Sequence, residues 1–211
     1  MSQSGRPGSG THQWNSRFSV PDYVYGTKPN DFLVASAPAL PPAPARVVSL
    51  GEGEGRNAVY LASLGYQVTA VDASDVGLRK AQQLAAERGV PLETVVSDLA
   101  DFPLTPETWD AVVCIFCHLP MPLRRQVHRA AVASLRPGGV VVLEAYTPAQ
   151  LSMRTGGPPL RELLYTADEL REDFEGLELS VLLEREREVV EGKLHTGRAA
   201  VVQLVGRKPV R

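Results

Sequence analysis

The chain has 211 residues, 44% of them hydrophobic and 22% charged, with a formal net charge of −2 at pH 7. That length and balance fit one folded domain with a real core and exclude a disordered chain. The near-neutral charge gives no reason to expect nucleic acid or an anionic membrane as partner, and no apolar run approaches the roughly 18–20 residues of a membrane span. Two cysteines are too few for a disulfide framework, so a reducing, cytoplasmic setting is expected.

Residues 1–13 are rich in Gly and Ser, lack the apolar core of a signal peptide and read as a flexible tail. Residues 14–45 hold Trp14, Phe18, Tyr23, Tyr25 and Phe32 and close on the proline-rich stretch Pro38–Pro44, which suggests a cap segment. Residues 46–146 alternate β-rich runs with helical stretches, the pattern of βαβ units. The expected order is strand Val47–Leu50, helix Arg56–Leu64, strand Gln67–Asp72, helix Asp75–Arg88, strand Leu92–Val96, strand Ala111–Phe116, helix Leu123–Leu135 and strand Val140–Ala145. Right-handed crossovers make such strands parallel and bring the loops after residues 50, 72, 96 and 116 together at one end of the sheet. Residues 147–211 open with a Gly/Pro loop at Gly156–Pro159, continue with a short helix capped at Thr166, and end in a hairpin, Leu177–Val189 and Leu194–Val205, around Glu191-Gly192-Lys193. The alternating charges Glu184 to Glu188 in its first arm suit a solvated sheet edge. The whole of residues 14–211 reads as one domain, with monomer and homodimer both open.

The sharpest signal is Leu50-Gly51-Glu52-Gly53-Glu54-Gly55-Arg56-Asn57, which leaves a strand and opens a helix. Glycines there allow a tight turn and a close approach of ligand to backbone. The third glycine comes one residue too early for the dinucleotide pattern G-x-G-x-x-G. Glu52 and Glu54 add negative charge that would repel a pyrophosphate but suit a ligand bearing a sulfonium and an ammonium group. Asp72, at the end of the second strand, is placed to accept from ribose hydroxyls. Asp98, after the third, is placed either to accept from an adenine amino group or to hold a plain turn.

Together these residues resemble the class I methyltransferases that use S-adenosylmethionine (SAM). Gly51-x-Gly53-x-Gly55 resembles their first motif, Asp72 the ribose-binding acid and Asp98 the adenine-side acid. Trp109 to Val113 resembles their fourth strand, and Leu135-Arg136-Pro137-Gly138-Gly139 the turn into their fifth. Within the class, Tyr25 to Leu33 and Leu50 to Asn57 are most similar to the tellurite-resistance-type branch and its small relatives. The resemblance implies a Rossmann-like, doubly wound α/β fold, a seven-stranded mostly parallel sheet with an antiparallel last strand. The cofactor-binding positions it implies are Gly51, Glu52, Gly53, Gly55, Asn57, Asp72, Ala73, Asp98, Leu99, Cys114 and Ile115, with Asn30 either joining them or capping the helix that begins near Asp31. Ser49 departs from the pattern, because many members carry an acid there; Glu52 is a candidate to replace its charge near the methionine end. The N-terminal segment would cover the cofactor, and the chain after the fourth strand would face the acceptor.

Methyl transfer needs alignment more than acid–base help, and a thiolate or reduced chalcogen acceptor needs no base. The expected acceptor is therefore a small molecule, with thiols and tellurium or selenium oxyanions as leading cases. His118 is the best-placed titratable residue, with Tyr25, Tyr146 and His195 behind it. Cys114-Ile115-Phe116-Cys117 forms a C-x-x-C, but on a strand its two side chains should point to opposite faces, as ordinary buried cysteines. No metal site is expected. Arg124, Arg125, His128 and Arg129 read as a solvated helix face. Two rival functions stay open: a SAM-binding regulator without catalysis and an NAD-dependent oxidoreductase. The Gly156–Pro159 loop and the N-terminal aromatic segment are the expected covers of the site.

Overall fold

The computed structural model describes residues 11–192 and 195–210. Most of the expected tail lies outside those residues; its last part, from Thr11, is already helical. Seven strands, β1 (Arg46–Leu50), β2 (Gln67–Asp72), β3 (Glu93–Val96), β4 (Trp109–Ile115), β5 (Leu135–Tyr146), β6 (Glu178–Glu191) and β7 (His195–Arg207), make one sheet in the order β3-β2-β1-β4-β5-β7-β6. The first five are parallel, and β7 runs antiparallel to both β5 and β6. The doubly wound fold and the antiparallel C-terminal strand are as the sequence implies. The winding reverses between β1 and β4, paired through Val47–Ala111, Val48–Val112 and Ser49–Val113, and ligands of such sheets bind outside the strand ends at that point.

The helices are α1 (Thr11–Phe18), α2 (Asp31–Ser36), α3 (Arg56–Ser63), α4 (Asp75–Arg88), α5 (Met121–Ser134), α6 (Gln150–Met153) and α7 (Ala167–Asp173). Their ends follow from local chemistry. Ser74 accepts from Gly77 N to start α4, and Gly89, at φ 66°, ends it. Thr166 and Glu169 close a reciprocal capping box on α7. The middle strands are apolar throughout because helices cover both faces: one core cluster holds Val48, Val112, Val141 and Tyr165, and the other Val47, Val113, Leu33 and Leu61. Cavities lined by Ala39, Val140, Glu178 and Arg207, and by Glu107, Pro137, Gly176 and Lys208, lie at the amino ends of the central strands, away from the glycine loop.

The turn from β1 into α3 is built on three left-handed glycines, Gly51 (φ 65°), Gly53 (φ 64°) and Gly55 (φ 93°). A methyl at Gly55 would stand 2.5 Å from the Ala81 Cβ, so the turn also sets how closely α3 meets α4. Gly55→Ala is expected to cost about 2–5 kcal/mol, strain and overlap combined. Gly89→Ala has the same hand of backbone but open space around it, and should cost only about 1–2 kcal/mol. Urea-unfolding midpoints of the two variants test the difference.

Candidate functional site

The loops after β1, β2, β3 and β4 meet at the carboxyl end of the sheet. In the glycine loop the carboxylates turn inward rather than toward a ligand. Glu52, 8% exposed, accepts from Asn57 N (3.0 Å) and Ala58 N (2.9 Å) at the start of α3, and from the Ser49 hydroxyl. Burial raises its pKa, against the pull of those hydrogen bonds. The expectation that Glu52 supplies charge to the methionine end is therefore corrected: its oxygens hold the helix N-terminus, and Ser49 supports it. Glu54 is buried too, paired with Lys80 Nζ at 2.8 Å and accepting from Tyr25 N at 3.3 Å. The electrostatic argument against a pyrophosphate consequently loses its force, since both charges are engaged within the protein.

Asp72 is buried at the end of β2, where Oδ2 accepts from Gly53 N (2.8 Å) and Oδ1 from Ser74 N (2.7 Å). Burial raises its pKa, while those backbone donors oppose the shift. The carboxylate thus braces the glycine loop against α4 with one lone pair per oxygen to spare. Ala73 follows it, half-buried. Asp98 spends Oδ1 on Ala100 N (2.9 Å) in a turn, and Leu99 packs at the margin of the core. Cys114 and Ile115 are buried at the end of β4.

The N-terminal segment lies across this loop. Phe18 sits against Gly53, where a methyl would come within 3.1 Å of its ring, and Asn15 bonds Asp75 (2.8 Å) and Ser74 (2.6 Å). Tyr25 accepts from Arg17 (2.9 Å) and its ring lies 4.5 Å from that of His195. The Gly156–Pro159 loop lies at Tyr146, where a methyl at Gly157 would come within 2.8 Å of the ring.

Of the two readings of Asn30 the structure shows the helix cap, and Asn57 is tied to it. Asn30, fully buried, caps α2 at Leu33 N (2.9 Å) and receives no ligand-facing duty: its amide donates to Glu144 (2.6 Å) and Glu191 (2.7 Å), and its backbone N–H to Asn57 Oδ1 (2.9 Å). Glu144 also accepts from Arg187 (2.8 and 2.6 Å) and Gln203 (2.7 Å), and Glu191 from Arg56 Nη2 (2.6 Å). Arg187 is thus drawn out of the solvated edge on which the sequence places it. Glu144→Ala should cost about 3–5 kcal/mol, because it leaves a buried guanidinium without its main partner. Urea denaturation would measure this.

Beside this junction stands a group of rings: Phe116 on Tyr146 (4.5 Å), His195 on Phe116 (5.1 Å) and on Tyr146 (5.3 Å), and His118 stacked on Tyr146 (5.7 Å). Three buried polar atoms here have no partner within the protein, Arg56 Nη1, Tyr146 OH and His195 Nδ1. Burial first, then the Arg56 charge, holds His195 down to about 3, and burial holds His118 down to about 4. His118 donates from Nδ1 to Leu163 O (2.7 Å) and takes Tyr146 N on Nε2 (3.5 Å). Both of its nitrogens serve the framework, contrary to its expected availability, and the ring left with a free nitrogen is His195. The unfolded chain protonates these histidines below about pH 6.5 and the folded one only near 3–4, so each withdraws stability as pH falls through that window. The melting temperature of His118→Gln should accordingly decline less than that of the wild type between pH 7 and 4.

The basic face of α5 is solvated only in part: Arg129 is exposed and Arg125 partly so, whereas the other two turn inward. Arg124 and His128 are buried on Asp173 (2.8 and 2.9 Å), with Arg125 on Asp173 and Glu172.

Residues 47–139 match the methyltransferase domain family. That stretch, a little under half of the chain, is similar to a methyltransferase domain, and the solved structures that share the fold include SAM-dependent methyltransferases. The chain is 34% identical over 129 residues to the ubiquinone biosynthesis O-methyltransferase of Xanthomonas campestris pv. campestris strain B100, covering 59% of this chain and 52% of that one. It is 28% identical over 136 residues to the 2-heptyl-1-hydroxyquinolin-4(1H)-one methyltransferase of Mycobacteroides abscessus, covering 59% and 60%. The chain thus spans just over half the length of these relatives. Among solved structures, one concerned with conversion of a disulfide bond into a thioacetal group during echinomycin biosynthesis superposes with TM-score 0.76 at 23% identity, over 95% of this chain and 92% of that one. TehB from Haemophilus influenzae superposes with TM-score 0.68 at 21% identity, over 83% and 61%. Among the described residues no group of three or more His, Cys, Asp or Glu is arranged to hold a metal, and no helix is long and apolar enough to cross a membrane.

Proposed function

We propose that this protein transfers a methyl group from SAM to a compact, already nucleophilic small molecule. The observation that carries the reading is the trio of unpartnered buried atoms, Arg56 Nη1, Tyr146 OH and His195 Nδ1, set among aromatic rings beside the glycine loop. Buried polar groups are nearly always paired, so such a trio marks a place where a ligand completes the hydrogen bonds.

SAM supplies a methyl group on a positively charged sulfur. Gly51, Gly53 and Gly55 would let the backbone approach it, Asp72 would take ribose hydroxyls on its spare lone pairs, Ala73, Asp98 and Leu99 would flank the adenine, and Cys114 and Ile115 would form the wall from β4. On the acceptor side Arg56 and Tyr146 offer donors that favour a negatively charged group. The closely packed rings favour an acceptor of few atoms. His195, held neutral with so low a pKa, is a poor proton acceptor, which favours a thiolate or a tellurium or selenium oxyanion over an alcohol that must first lose a proton. Tyr25 closes the chamber over His195. Holding both partners in line contributes roughly 7–11 kcal/mol to such a reaction.

Calorimetric titration with S-adenosylhomocysteine, with NADH as control, tests the cofactor, and turnover on a panel of thiols, selenite and tellurite tests the acceptor. Asp72→Ala should weaken S-adenosylhomocysteine binding by about 1–3 kcal/mol. Tyr146→Phe should leave that binding unchanged and lower kcat/KM for the acceptor by about tenfold, one hydrogen bond's worth. Binding without turnover on any acceptor would favour the regulatory reading instead.

A further inference from the structure

The C-x-x-C does not behave as strand geometry suggests. Phe116 takes a left-handed backbone, φ 52°, directly after β4, and its N–H bonds Glu144 O at 2.7 Å. Cys117 thereby lies on the same face of the sheet as Cys114, both thiols buried in one core cluster and each acting on the other, while Ile115 between them faces the opposite cluster. The expectation of opposite faces is overturned. Two further groups complete the arrangement. His128 from α5 stands beside Cys114, its Nδ1 held by Asp173 at 2.9 Å and its buried Nε2 without a partner at hydrogen-bond distance. On the other side, Cys117 lies on the cofactor loop: a methyl at Gly51 would come within 2.6 Å of its sulfur, and the Asp72 charge acts on its thiol.

We propose that Cys114 and Cys117 are a reversible dithiol–disulfide pair, oxidised by a hydroperoxide, whose state is transmitted to the first glycine of the cofactor loop. A buried cysteine is ordinarily inert because the thiolate is the reactive form. Here the neighbouring Cys117 first, and His128 after it, draw the Cys114 pKa below the ordinary thiol value against the effect of burial. Burial pulls the His128 pKa down, but Asp173 and Cys114 more than offset it, so the ring holds a proton more readily than a free imidazole and can carry it between the steps below.

The chemistry closes without any other reactant. The Cys114 thiolate attacks one peroxide oxygen; the O–O bond breaks, an S–O bond forms, and the departing hydroxide takes a proton from His128 to leave as water. Cys117 passes its proton to His128, and its sulfur attacks the Cys114 sulfenic acid. The S–S bond forms as the S–O bond breaks, and the second hydroxide takes the proton from His128 as a second water. Two thiols are oxidised by two electrons and one peroxide is reduced. Drawing Cys117 into a disulfide moves the atom that packs on Gly51, so the loop beneath the cofactor must shift with it.

The test treats the purified full chain with hydrogen peroxide, blocks remaining thiols after unfolding, and maps the peptides by mass. The expected result is a Cys114–Cys117 link, lighter by two hydrogens and reversed by dithiothreitol, together with S-adenosylhomocysteine affinity lower by about fivefold or more. Cys117→Ser should give sulfenic and higher acids on Cys114 and no link. His128→Gln should slow the oxidation by about tenfold, reflecting the lost thiolate. Stepwise oxygen addition to the wild-type cysteines without the link would overturn the pair, and a link that leaves S-adenosylhomocysteine affinity unchanged would overturn its connection to the loop. An unslowed His128→Gln would remove His128 from the arrangement.

Discussion

Four separate pieces of the chain meet at one buried carboxylate. Glu144, near the carboxyl end of β5 and fully buried, receives Arg187 from β6, Gln203 from β7 and Asn30 from the N-terminal segment. Glu191 repeats the pattern and adds Arg56 from the first turn of α3. Two acids face two guanidiniums, so the junction is neutral as a whole, and every acid oxygen has a donor. Such a cluster stabilises little compared with apolar packing, but removing one member strands a charge. Its effect is positional. The cap segment, the glycine-loop helix and the C-terminal hairpin share one hydrogen-bonded point, so the place of each at the mouth of the sheet is fixed by the others.

That arrangement explains how an arginine comes to be half satisfied inside the protein. One amino group of Arg56 is committed to Glu191, which fixes the plane of the guanidinium; the other is buried with no partner in the protein. The glycine loop follows the same economy of orientation. Its glutamates hold the α3 terminus and Lys80, and its backbone is pinned to Asp72, so the loop keeps its shape whether or not anything lies against it. A preformed loop loses little freedom on meeting a ligand.

The strand and helix order could be read directly because each central strand is an apolar run and each helix carries its own caps, as Ser74, Gly89 and Thr166 do. The glycine spacing and Asp72 likewise announce themselves locally. What could not be read depends on distance along the chain. Glu144 stands in Val141-Val142-Leu143-Glu144-Ala145, where a lone acid in a buried strand demands a partner, but Arg187 is 43 residues away within a run of alternating charges that looks solvated. Asp173 draws Arg124 and His128 inward in the same manner. His195 ranks low in the sequence because nothing around Leu194-His195-Thr196 marks it; its surroundings come from Tyr25, Phe116 and Tyr146. The left-handed Phe116 is the least legible of all, since a bulky residue seldom adopts that backbone.

The tip of the hairpin carries one more constraint. Gly192, at φ 66°, has no room for even a methyl group, because the carbonyl of Val24 and the backbone of Tyr25 lie where it would be. Hairpin tip and cap are therefore in main-chain contact, and neither can swing away as an independent flap. Cap and hairpin are thereby fastened to each other, so a displacement of one at the carboxyl end of the sheet carries the other with it.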